Sequence, residues 1–214
     1  MSHKIYELIA QGEHIHQDFK YEIEDAHKIA KSIVAFANTE GGRLLIGVKD
    51  NGRIKGVHSD EELHMAEAAA EVYSVPEVHF DIRRWSIEGK EVLEIYIPKS
   101  KNRPHFVKNQ KGPNKAYVRV DDMNIAVNKV MLAFWELEKK PKDKEFLFSE
   151  NETKLFDYLK DKGQISFSKY CRITNLHFEE AANRLAKLLL WEVVDLDLSE
   201  KGCFYTINPK KIQD

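Results

Sequence analysis

Residues 35–56 read AFANTEGGRLLIGVKDNGRIKG, and the order of patterns in this stretch decides the fold. A helical run of small and apolar residues meets Gly41-Gly42, a pair able to take the positive φ that ends a helix. Residues 44–48 are then almost continuously apolar, as expected of a strand covered on both faces. Asp50-Asn51-Gly52 is a tight-turn sequence that predicts a hairpin into residues 54–57. Asp50 therefore falls at the exposed end of a buried strand, where it invites comparison with Glu13 and Asp18 upstream.

Working outward, residues 18–23 predict a short strand. Residues 25–38 predict a helix, because Ile29, Ile33 and Phe36 recur at helical spacing with Ala26, Ala30 and Ala37 filling the same side. Residues 60–73 predict another helix. Residues 78–86 and 91–97 alternate and predict paired strands across Glu88-Gly89; residues 116–120 predict a further strand, and 124–137 a helix. The first domain, 1–140, is thus expected to be α+β with a mixed sheet. A charged, proline-bearing linker at 139–144 marks the boundary. In the second domain, 145–214, helices are predicted over 152–162, 166–173 and 177–190, then strands over 192–196 and 203–207. Three helices followed by a hairpin is the order of a winged helix-turn-helix.

Composition narrows the class. Hydrophobic residues make up 43% of the 214 and charged residues 32%, the balance of a globular protein. No apolar run reaches the length of a membrane span, and the first residues lack a signal-peptide core. Cys171 and Cys203 have neither metal-ligand spacing nor the look of a disulfide framework. A cytoplasmic protein with no membrane partner is expected. The net charge of −2 excludes a uniformly basic nucleic-acid binder.

Charge placement says more. Lys99, Lys101, Arg103, Lys108, Lys111, Lys115 and Arg119 fall in a stretch without a single acid, interleaved with His105, Phe106 and Tyr117. Cations neutralise phosphates and rings stack on bases, so this is the strongest nucleic-acid feature; its bland counterpart is a solvated loop with scattered lysines. In the second domain the third helix opens on Glu179 and Glu180, which repel phosphates. Its cations are Arg184 and Lys187, with Lys169, Arg172 and Lys201 placed to touch a backbone. His14-x-His16 lacks a third ligand at metal spacing. No G-x-x-x-x-G-K-[ST] is present, so ATP is not expected.

The opening stretch resembles the Schlafen-type Alba-like domain, once called a divergent AAA domain. GEHIHQDFK (12–20) is similar to its opening element and RPHFVKNQKGPNKAYVRVDDMN (103–124) to its closing one, so the resemblance spans roughly residues 5–138. It implies an Alba-like fold, nucleic acid as partner and, as in many bacterial members with a C-terminal winged helix, a DNA-binding transcriptional regulator. Lys20 and Arg119 lie in family motifs. Some animal members are metal-dependent RNA endonucleases, and the resemblance carries their three acids onto Glu13, Asp18 and Asp50, with Mg²⁺ or Mn²⁺ as cofactor. Asp18 stands where those members have Glu, and neither the duplicated lobe nor the zinc-binding set is present. A regulator binding DNA or RNA is the leading expectation. A metal-dependent ribonuclease is the alternative, and a protein-interaction adaptor is a further one. A homodimer is expected because Alba-like folds often pair and Phe134-Trp135 exceed what a small core buries.

Overall fold

The computed structural model describes residues 2–57, 59–141 and 148–211. The chain forms two compact units, residues 1–127 and 128–214.

The first unit runs α1 (Ser2–Ala10), β1 (Gln17–Lys20), α2 (Ala26–Asn38), β2 (Gly42–Ile46), α3 (Glu61–Glu71), β3 (Ser74–Val75), β4 (Asp81–Ile87), β5 (Lys90–Ile97), β6 (Phe106–Val107), β7 (Tyr117–Val120) and β8 (Met123–Ala126). Its sheet has the order β1-β2-β5-β4, with β1 parallel to β2 and the other pairs antiparallel. Two further two-stranded pairs, β3-β6 and β7-β8, pack against α2 through β6, β7 and β8. Strand alternation sends Leu44, Ile46, Leu93 and Ile95 into a core with Ile29, Ile33 and Phe36 of α2 and Ala66, Ala69 and Ala70 of α3. Phe19, Leu45, Trp85, Ile87 and Val92 point the other way, against Ile5 and Leu8 of α1. Because β2 is covered on both faces, its apolar run needs no alternation, as expected.

Local chemistry sets the ends of α2. Asp25 accepts hydrogen bonds from the backbone N–H groups of His27 and Lys28. At the other end Gly41 takes φ +76° and donates its N–H to Phe36 O at 2.9 Å. Gly42 is required for a different reason: a Cβ there would stand 2.3 Å from the Phe36 ring.

Two expectations change. Residues 54–57 form no strand; Val48 and Ile54 make one antiparallel bridge around a turn in which Asn51 Oδ1 accepts the Arg53 N–H. Residues 123–126 are a strand, not the start of a helix. Asp121 turns the chain at φ +52°, β8 pairs back on β7, and it is Asn128 that caps the next helix by accepting the Met131 N–H.

The second unit runs α4 (Lys129–Glu138), α5 (Glu150–Lys162), β9 (Gln164–Ser166), α6 (Phe167–Thr174), α7 (Phe178–Leu190), β10 (Val194–Ser199), β11 (Gly202–Ile207) and a short 3-10 turn (Pro209–Lys211). Its antiparallel sheet has the order β10-β11-β9. Leu155, Leu159, Ile165, Tyr170, Leu185, Leu188 and Tyr205 form its core. Helix α4 joins that core through Val130, with Ala133, Phe134 and Leu137 packed against it. The helix assigned by sequence to the first domain thus belongs to the second unit, and the division falls at 127/128 rather than in the charged linker. Residues 142–144 of that linker lie outside the described residues. Phe134 is half-buried against this core and Trp135 is 1% exposed, so most of the aromatic surface that argued for a homodimer is already covered. Among the described residues no helix is long and apolar enough to cross a membrane.

Candidate functional site

Asp18 sits on the α2 side of β1 and is buried. Its carboxylate accepts from Ser32 Oγ at 3.2 Å and pairs with Lys20 Nζ at 3.0 Å and Arg119 Nη2 at 3.5 Å. Asn124 extends the network: Arg119 Nη1 donates to its Oδ1 at 3.1 Å, and its Nδ2 donates to Ser32 Oγ at 2.9 Å. Glu13 closes the set, with Oε1 accepting the Phe19 N–H at 2.8 Å. Burial, then the hydrogen bond to Asp18, pushes the Glu13 carboxyl up to about 7. Burial alone would raise Asp18 too, but the hydrogen bond from Glu13 and the charges of Lys20 and Arg119 outweigh it and hold Asp18 below the usual carboxylate range. Below about pH 7 the pair therefore keeps one proton, held on Glu13 and donated to Asp18.

This arrangement does not fit Mg²⁺ or Mn²⁺. A hard dication needs several oxygens free to ligate it, yet both Asp18 oxygens already face cations or a hydroxyl donor. Asp50 does not complete the set: Asp18 stands beside Leu44 in the β1-β2 register, while Asp50 lies in the exposed turn six residues further along. Among the described residues no three His, Cys, Asp or Glu side chains stand together as a metal site. The three-carboxylate reading of Glu13, Asp18 and Asp50 is therefore set aside on its donor chemistry. His14 and His16 serve the local chain path: His14 Nδ1 accepts the His16 N–H at 3.2 Å, and His16 Nδ1 lies 3.2 Å from Gly41 O.

The basic stretch divides into architecture and surface. Arg119 is 2% exposed and faces Asp18, which removes it from any phosphate. Lys20, also paired with Asp18, is only part-exposed. His105 is buried, with Nδ1 2.9 Å from Pro76 O and Nε2 2.7 Å from Ser100 Oγ; the carbonyl assigns the proton to Nδ1, and burial lowers the ring's pKa. Tyr117 packs against the first core, where burial raises its phenol. Lys99 pairs with Glu40 at 2.8 Å, and Arg103 is half-buried.

What remains is a closed hairpin loop. Val107 and Lys115 exchange backbone hydrogen bonds of 2.8 and 3.1 Å. Inside the loop, Asn114 Oδ1 accepts the Asn109 N–H and Asn109 Oδ1 accepts the Lys111 N–H, each at 3.1 Å. Lys108, Lys111 and Lys115 project from this ordered loop, with Lys101 exposed beyond it. None of the four pairs with a carboxylate among the described residues.

In the second unit Arg184 is not free for a ligand. It binds the buried Glu152 at 2.9 Å and Glu180 at 3.3 Å, fastening α7 to the capping box of α5. Lys169 Nζ lies 5.3 Å over the Tyr158 ring, and Lys187 is half-buried. Lys129 neutralises Glu179. Arg172 and Lys201 are exposed.

Sequence reasoning missed Ser32 and Asn124, whose roles depend on partners far along the chain. It also missed Lys4, Arg43, Arg83 and Tyr96, which line a cleft on the α1 side of the sheet. The alternation of residues 81–87 and 90–97 held the signal, since it puts Arg83 and Tyr96 on the same face.

The Schlafen, AlbA_2 family model matches residues 13–128, more than half of the chain, and the protein belongs to that family. Among solved structures, the DIP2311 protein of Corynebacterium diphtheriae is 22% identical with a TM-score of 0.42. The match covers 59% of this chain and 28% of that one, so this chain spans well under half of that protein's length. The N-terminal domain of a RecG-related protein from Nitrosomonas europaea is 18% identical with a TM-score of 0.41, over 69% of this chain and 94% of that one.

Proposed function

We propose that the protein binds nucleic acid through the lysine hairpin of its first unit and acts as a DNA-binding transcriptional regulator. One observation carries this reading: Lys108, Lys111 and Lys115 stand on an ordered, self-closed loop with no carboxylate among the described residues to neutralise them. Holding cations on a fixed loop lowers the entropy lost when they meet phosphates. Membership of the Schlafen, AlbA_2 family supports a nucleic-acid role. In the second unit, the order helix, strand, helix, helix, strand, strand from α5 onward and the three-stranded sheet support a winged helix. Since Arg184 is bound to Glu152, backbone contacts there fall to Arg172 and Lys201.

The test is charge reversal, Lys108→Glu/Lys111→Glu/Lys115→Glu, with binding to duplex DNA and to structured RNA followed by fluorescence anisotropy across a salt series. The reading expects affinity at low salt to fall at least about tenfold. It also expects the slope of log K against log salt to shrink by about 0.9 for each lost contact on DNA. Unchanged affinity and slope would overturn it, and no binding to either polymer would favour the adaptor.

A further inference from the structure

On the α1 side of the sheet, register sets Arg43 beside Tyr96, Tyr96 beside Asp81, and Glu94 beside Arg83. Helix α1 covers only the other half of this face, over Phe19, Leu45, Trp85, Ile87 and Val92. The uncovered half is an open cleft of about 250 Å³, lined by Arg43, Asp81, Arg83, Glu94 and Tyr96 with Lys4 and Ile82 at its margin. Tyr96 is 43% exposed between its two neighbouring strands. An aromatic ring on a sheet face, left open where the rest of that face is covered, calls for an occupant.

Charge and rigidity indicate which. Glu94, 6% exposed, is the floor: its Oε2 accepts from Trp85 Nε1 at 2.8 Å and its Oε1 from Arg43 Nη1 at 3.3 Å. That carboxylate is therefore neutralised, and Arg43 is held beside Tyr96. The Arg83 guanidinium lies 5.4 Å from the Trp85 ring centre. Neither Lys4 nor Arg83 pairs with a carboxylate among the described residues. With Arg43 committed to Glu94, the cleft keeps two uncommitted cations, Lys4 and Arg83, against one exposed carboxylate, Asp81. A flat ring flanked by cations suits a ligand that is flat and anionic at once, which is an unpaired nucleotide. A duplex keeps its base faces stacked and cannot present them to Tyr96.

We infer that this half-open sheet face is a single-strand site: a base stacks on Tyr96, Arg43 is held by Glu94 beside the ring, and Lys4 and Arg83 take the adjoining phosphates. The inference rests on the nucleic-acid reading above and adds a second surface to it. It gives the first unit a preference for unpaired strands that the lysine hairpin alone does not supply.

The test uses the full chain, a labelled oligothymidylate, an oligouridylate and a duplex of equal length. Tyr96→Ala should weaken both single strands about tenfold, leave the duplex unchanged and keep its loss at raised salt, where lysine contacts fade. Tyr96→Phe should bind as the parent does, and Arg83→Gln should weaken the single strands only. The ratio of thymidylate to uridylate affinity distinguishes DNA from RNA as the source. If Tyr96→Ala leaves single strands unchanged while the lysine-hairpin reversal weakens them, the inference falls and the broader reading stands. If Tyr96→Ala weakens duplex and single strands alike, the inference also falls. If no form of nucleic acid binds, both fall together.

Discussion

Arg119 belongs to the most basic stretch of the chain, yet its guanidinium is turned inward to Asp18, the Gln17 carbonyl and Asn124. An acid and a base far apart in sequence meet because β7 packs beside α2, and no local pattern announces that meeting. Sequence reading could single out Asp18 and Arg119 as unusual, but it gave them opposite roles, one for metal and one for phosphate. The proton shared between Glu13 and Asp18 yields a test. The folded state holds the Glu13 proton up to about pH 7, against a usual value of 4.5, so the stability it adds is full below that usual value and is lost as pH rises through 7. Asp18 runs the opposite way: its lowered pKa favours folding at higher pH and loses that benefit only as acid protonates it. Glu13→Gln fixes the neutral form and retains both the acceptor for Phe19 N–H and a donor for Asp18. Urea denaturation from pH 5 to 8 should show the variant gaining on the parent by about 1 kcal/mol, a figure reduced for the solvent screening of a part-exposed group. A difference that stays flat over this range would mean that Glu13 is ionised throughout.

At the scale of elements, the sequence was most readable where one face or one turn decides. The apolar run of β2, the helical spacing of α2 and the Gly41-Gly42 break each depend on neighbours a few residues away. Where a non-glycine residue takes positive φ, as Asp121 does, the turn is hidden, and β8 was accordingly read as the start of a helix. Gly42 offers the sharpest check, because it is excluded from having a side chain by a ring and not by its own φ. Gly42→Ala should cost about 3 kcal/mol, since the Phe36 ring lies in a filled core and has nowhere to retreat. Gly89→Ala is the control: its φ is +75° but open space surrounds it, so only the backbone cost of about 1 kcal/mol applies. Equal losses at the two sites would show that Phe36 yields easily.

For the whole molecule, the expected division misled because a lysine-rich, proline-bearing stretch looks like a linker wherever it lies. The preceding helix carried apolar residues without saying which core they serve. In the folded chain Val130 enters the second core, and Asn128 Nδ2 donates to Tyr205 Oη at 3.0 Å. A fragment of residues 128–214 should therefore melt cooperatively, and one of residues 148–214 should melt about 10 °C or more lower, since burial of Val130 and its neighbours is lost. Similar melting points would show α4 to be dispensable.

The first compact unit ends at residue 127 and the family match ends at residue 128. Between β8 and the cap of α4 lies a single residue, Val127. Residue 127 is therefore the place at which the chain can be cut and rejoined. A foreign output module joined after residue 127 leaves the Schlafen, AlbA_2 portion whole. One joined after residue 140 drags along a stray helix whose apolar side has lost its companions, an aggregation hazard that no inspection of the linker would have foretold.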